Sequence, residues 1–160
     1  GNHEAWSGRN GANSYLRFRQ EFDAHYLEGV SFIDLTVGDI DYKITGAHQH
    51  LGNSIYSNTA GAQRMRRQSA PDGDIFLTAH THQKGINIEP VKAWGGETRL
   101  ATYCSLGTYK EDDDYSRVKG FGRQSGDALG AIGLILHPDQ RCVEPFMDLQ
   151  KAAEQLYRYM

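Results

Sequence analysis

Cysteine is scarce: Cys104 and Cys142 are the only two in 160 residues. That is too few for a disulfide framework, and the spacing does not suit a zinc knuckle. Two lone thiols fit a reducing compartment, so a cytoplasmic setting is expected. No apolar run approaches the roughly 18–20 residues of a membrane span, and no charged-then-apolar signal pattern is found, so no membrane partner is expected. A basic excess is also missing. Seventeen Lys and Arg stand against twenty Asp and Glu, a formal net charge of −3. This argues against a chain whose main work is coating nucleic acid or anionic lipid, while leaving room for a local basic patch. The glycines around Gly120-Phe121-Gly122 and Gly130 fit neither a P-loop nor a dinucleotide fingerprint, and read as turns and close strand packing. No Ser/His/Asp or Cys/His arrangement for a side-chain nucleophile is found either.

What is present is a globular composition: 39% hydrophobic and 23% charged residues, with nine Tyr, six Phe and two Trp to build a core. The length suits one domain or one piece of one. The polar, Gly-rich residues 7–13 read as loop. Tyr15, Phe18, Phe22 and Tyr26 recur at helical spacing, which predicts an amphipathic helix over residues 14–27. Two β-branched and aromatic runs, residues 30–37 and 42–47, flank Gly38-Asp39 and predict a hairpin or two consecutive strands. A polar loop follows to residue 58, then a short basic helix over 60–68, ended by Pro71-Asp72-Gly73. Further strands are expected at 75–79, 86–89, 99–106 and 131–136, with an acidic loop at 111–116. Leu149, Ala152, Ala153, Leu156, Tyr157 and Met160 make one apolar stripe of a closing helix.

Seven histidines occur, and their placement is informative. Asn2-His3, His48 with His50, and His80 with His82 lie in predicted loops, the last two groups directly after strands. Strand ends in a layered sheet are where ligands converge. On an extended backbone, the i, i+2 pair His80 and His82 would point the same way and reach two adjacent ions. Imidazole nitrogen with amide oxygen suits Mn, Fe, Zn or Ni rather than Ca. His25 and His137 carry no such context.

In order, Gly1-Asn2-His3-Glu4, the strand-then-His segment ending Gly46-Ala47-His48, and Thr78-Ala79-His80-Thr81-His82 resemble three of the five signature blocks of the calcineurin-like metallophosphoesterases. The resemblance covers residues 1–90. Ala79 stands where the family has Gly, a change that could tighten the turn. The first two blocks, Asp-x-His and Gly-Asp-x-x-Asp, are not matched. Asp23-Ala24-His25 lies in the predicted helix, and Gly38-Asp39-Ile40-Asp41 has its second Asp one position early. The expectation is therefore the C-terminal half, residues 1–160, of a longer α/β (α+β) domain: a four-layer β-sandwich flanked by helices, preceded by a missing N-terminal half.

The resemblance implies a hydrolase of phosphate ester bonds, a phosphatase or phosphodiesterase, with nuclease-like activity as one form. Two divalent ions, Mn, Zn or Fe, would clamp a phosphate oxygen while metal-bound hydroxide attacks in line. Asn2, His48 and His80 would hold the second ion, with His50 the alternative to His48, and His82 would reach the first. His3 would act as general acid, and Glu4 would orient it or a ligand. Arg64, Arg66 and Arg67 could meet a second phosphate or a nucleic-acid backbone, though a solvated helix face is the plainer reading, and Tyr56 could stack on a base. The rival reading is a non-catalytic metal-binding or interaction module lacking half the metal site. A mononuclear zinc site of His48, His80 and His82 lacks a general base.

Overall fold

The two apolar runs around Gly38-Asp39 fold back on each other. They form β1 (Ser31–Val37) and β2 (Ile40–Ala47), antiparallel, with Val37 opposite Ile40 closing the turn. Gly38 takes φ +60°, and Asp39 does not follow it into positive φ, the pattern of a two-residue turn that matches strand twist. A Cβ at Gly38 would also lie 2.5 Å from the Pro138 carbonyl oxygen. The Gly-Asp pair is therefore a hairpin turn. The computed structural model describes residues 19–23, 25, 27, 29–50, 54, 56–110, 118 and 129–160.

From β2 the chain crosses through helix α1 (Ala60–Ser69) to β3 (Ile75–Thr78), which pairs parallel with β2. It then makes β4 (Lys84–Lys92) and β5 (Thr98–Leu106), antiparallel to each other. β5 inserts beside β3, giving the order β1-β2-β3-β5-β4 in a mixed α/β fold. Three central strands run parallel, and both edge strands run against them. Pro90 is tolerated in β4 because that strand is an edge.

α1 covers one sheet face. Its Ala62 and Met65, one turn apart, are fully buried on Phe76, Ala101 and Tyr103. Phe76 and Tyr103 occupy paired positions on β3 and β5, and their rings stack at 5.4 Å. Truncating Met65 to Ala would remove this plug at a cost of about 2–5 kcal/mol. On the opposite face Tyr42, Ile75 and Cys104 are buried. Burial pushes the Cys104 thiol up to about 12, so it is a core side chain and not a nucleophile.

A second hairpin, β6 (Gly133–Leu136) and β7 (Val143–Phe146), carries the closing helix α2 (Leu149–Tyr159). A Cβ at Gly133 would fall on Ala152, so glycine is what lets α2 approach β6. Asp148 caps α2 by accepting from the amides of Gln150 and Lys151.

Two sequence expectations change. The helix over 14–27 stops early: residues 19–22 are helical, Asp23 turns at φ +47°, and His25 lies beyond the helix, while residues 14–18 fall outside the described ones. Asp tolerates this left-handed conformation, which ends a helix. The apolar stripe of α2 buries only Ala152; Leu149, Leu156, Tyr157 and Met160 stay exposed. The acidic stretch 111–116 lies outside the described residues. Among the described residues, no helix is long and apolar enough to cross a membrane.

Candidate metal centre

β2 and β3 are parallel neighbours with Ala47 level with Thr78. The residues just past their carboxyl ends are therefore brought side by side. The Ala79 amide donates to the His48 carbonyl at 3.2 Å, joining the two chains beyond the strands. There His48 Nε2 lies 3.1 Å from His80 Nδ1, and the rings meet edge to face with centroids 5.1 Å apart. Residues 32 apart in the chain converge because a parallel crossover returns the second strand in register with the first.

The backbone at this point is strained. Among the described residues, the only non-glycine positions with positive φ are Asp23, His80 at +68° and His82 at +55°. The Thr81 amide donates to the Ala79 carbonyl at 2.8 Å, closing a γ-turn centred on His80. Such a conformation costs on the order of 1–3 kcal/mol per residue and persists where surrounding structure enforces it, typically at functional sites. It also corrects the expected geometry. His80-Thr81-His82 is a bend and not an extended segment, so the two imidazoles do not follow strand alternation. Ala79 keeps φ negative, and the left-handed turn sits on His80.

The amino ends of the same two strands are built differently. Asp74, immediately before β3, is buried at 2% exposure. Its Oδ2 accepts from the Lys43 amide at 2.9 Å and from Arg141 Nη1 at 2.8 Å. Arg141 also donates to the Asp41 carbonyl. The buried Tyr42 hydroxyl sits 2.8–2.9 Å from the carbonyls of His137, Gln140 and Cys142, and accepts from the Cys142 amide. The loop between β6 and β7 is thereby clamped to the bottom of the sheet. None of these three residues stood out in the sequence, since each pairs with a partner dozens of residues away.

Beside the histidine pair opens a cavity of about 50 Å³, lined among others by Gln49, His50, Ser57, Asn58, Thr81 and Gln83. It is thus His48 that meets His80, while His50 faces the cavity. His82 is half-buried. Asn2, His3 and Glu4 lie outside the described residues. Among the described residues no group of three His, Cys, Asp or Glu side chains is arranged to hold a metal ion; what they supply is the two imidazole nitrogens of His48 and His80. Tyr56 is exposed.

The arginines of α1 do not line the cavity. Arg66 and Arg67 occupy the last turn of α1, at the far end from the histidines, and Arg66 Nη2 donates to the Lys92 carbonyl at 3.3 Å. Basic side chains in a last turn complement the helix dipole. Gln49, Ser57, Asn58 and Gln83 of the cavity went unnoticed in the sequence. The available signal was position, since Gln49 follows His48 and Gln83 follows His82.

Compared with known proteins, the chain matches no family model, no curated protein and no solved structure.

Proposed function

We propose that the chain carries part of a dinuclear metallophosphoesterase centre, and that the assembled enzyme hydrolyses a phosphomonoester or phosphodiester. In this reading the mixed sheet is one layer of a four-layer α/β sandwich, completed by an N-terminal half and working in the cytoplasm. The observation that carries it is the 3.1 Å approach of His48 Nε2 and His80 Nδ1 at the ends of two parallel strands. Two imidazole nitrogens on one ion, each at about 2.0–2.1 Å, stand about 2.9–3.4 Å apart, so the pair suits a shared transition-metal ligand site. The strained γ-turn at His80 supports the same reading, because it holds one of the two imidazoles at a conformational cost.

When bound, Mn, Zn or Fe would supply Lewis acidity and a nucleophile near neutral pH. His48 and His80 hold the second ion in neutral form, with one ring nitrogen each. Asn2 adds an amide oxygen, and His82 serves the first ion. His3 gives a proton to the leaving oxygen, which makes it the catalytic acid. The motif order from Asn2 to His82 is the support for these three roles.

The pairing of only two ligands among the described residues favours one second reading, a metal-binding or interaction module without turnover. One experiment separates them. The purified chain is exposed to Mn²⁺ or Zn²⁺ and analysed for metal per mole of protein, and the assembled protein that includes the N-terminal half is assayed with p-nitrophenyl phosphate. Bound metal with turnover by the assembled protein supports the enzyme, and bound metal without it supports the module. Metal content that survives both His48→Ala and His80→Ala sinks the site.

A further inference from the structure

The cavity beside the histidine pair has a chemical character of its own. Gln49 directly follows His48, and Ala79 and Thr81 bracket His80, so the cavity adjoins the place where the phosphoryl group would sit. Among the described residues, His50 is the one ionisable side chain in its lining. Those residues offer a second phosphate or a carboxylate no Lys or Arg. The lining instead combines amides and hydroxyls: Gln49 and Gln83, Ser54 and Thr81.

Acceptors are present as well as donors. Asn58 gives its Nδ2 to the Lys84 carbonyl at 2.9 Å, which leaves its Oδ1 as an acceptor. A fixed acceptor opposes an anion, and it suits a hydroxyl, which donates and accepts at once. Size narrows the choice further. The volume is about 50 Å³, several times the roughly 10–15 Å³ that one water needs, which suits a small polar fragment. An alkyl chain would strip hydrogen bonds from the lining without replacing them.

We propose that this cavity is the subsite for the alcohol portion of the ester, and that it takes a short polyol, a fragment of glycerol size bearing free hydroxyls. The inference rests on the phosphoesterase reading for the ester itself, but its test does not depend on turnover. The full chain, labelled with ¹⁵N and kept in Zn²⁺, is titrated with glycerol 2-phosphate, with inorganic phosphate and with phenyl phosphate. The side-chain amide signals of Gln83 and Asn58 are followed by NMR, assigned through Gln83→Ala and Asn58→Ala.

Glycerol 2-phosphate is expected to shift both signals and saturate, while inorganic phosphate and phenyl phosphate leave them in place. Gln83→Ala should raise the Kd for glycerol 2-phosphate about fivefold, the loss of one hydrogen bond of ordinary strength. Equal shifts with inorganic phosphate would make this an anion site and overturn the proposal. No shift with any of the three would overturn it too. Hydrolysis of p-nitrophenyl phosphate, which has no polyol, is measured alongside with the assembled protein that includes the N-terminal half. Its absence would count against the phosphoesterase reading alone.

Discussion

The two ends of β2 and β3 are made from the same pair of strands and serve opposite ends. At the amino ends, the buried Tyr42 hydroxyl and one oxygen of the buried Asp74 carboxylate each meet several partners, the half-buried Arg141 among those of Asp74. At the carboxyl ends, two histidines face each other across 3.1 Å, and one of them sits in a strained left-handed turn. One end spends polar groups on holding the fold together. The other carries a left-handed turn that sets one of two facing imidazoles. Stability and site chemistry are thus separated along about seven residues of strand, and substitutions at the two ends should have different signatures.

The largest effect is expected at the histidine end. His48→Ala and His80→Ala should each lower bound metal, or phosphoesterase activity in the complete enzyme, by orders of magnitude. His82→Ala should act similarly if it serves the first ion, while His25→Ala, placed beyond the helix end, should change little. Metal analysis and a phosphatase assay check all four.

At the clamped end the expected effect is on folding. Arg141→Met leaves the Asp74 carboxylate buried without its ionic partner, and one of its oxygens already lacks any partner among the described residues. Removing one member of a buried pair costs up to about 3–5 kcal/mol. With Arg141 about one-third exposed, the lower part of that range is expected. Tyr42→Phe should cost about 1 kcal/mol: the Gln140 and Cys142 groups keep their backbone bonds to one another and to His137, and the His137 carbonyl loses the hydroxyl. Urea denaturation measures both, and the metal content of the folded fraction should not change.

His80→Gly sharpens the comparison, because stability and metal binding should then move in opposite directions at one end. Glycine accepts φ +68° without the side-chain penalty, so stability should rise by about 1 kcal/mol while metal binding is lost. A loss of stability instead would mean that the imidazole holds the turn together.

The smallest effect belongs to the second hairpin. Tyr159 donates to Glu144 Oε1 at 2.7 Å, and His137 Nε2 lies 2.8 Å from the same oxygen. The Tyr159 hydroxyl, then His137, hold the Glu144 carboxyl below its ordinary range, and the same bond holds the Tyr159 phenol above its own. A depressed carboxyl contributes stability above its unfolded value and loses it as pH falls through the folded one. A raised phenol contributes below its unfolded value and loses it as pH rises through the folded one. The attachment of α2 should therefore weaken at both extremes. Glu144→Gln should flatten the acid limb of a helical circular-dichroism titration.

Much of the fold was legible in the sequence because it follows from local pattern. The hairpin about Gly38-Asp39, the α1 helix and the strands at 75 and 99 are marked by side-chain period and turn chemistry. β7 was not, because Pro145 in a four-residue run argues against a strand until a partner, here β6, makes it an edge. The site was legible as strand-then-His, twice. That His48 and His80 converge was expected from the family resemblance and not from spacing, while the bend that takes His82 out of strand alternation was not legible.

By itself, then, the sequence determined the elements, the side chains offered at the strand ends and the order of the motifs. These depend on interactions between residues a few positions apart. The tertiary structure decided which strands lie side by side, and so which histidine meets which. It paired Asp74 with Arg141 and Tyr42 with a loop about 95–100 residues further on, and it left a small neutral cavity beside the histidines. Those outcomes depend on the register of parallel strands and on which face each helix and hairpin covers. Only the assembled sheet specifies them.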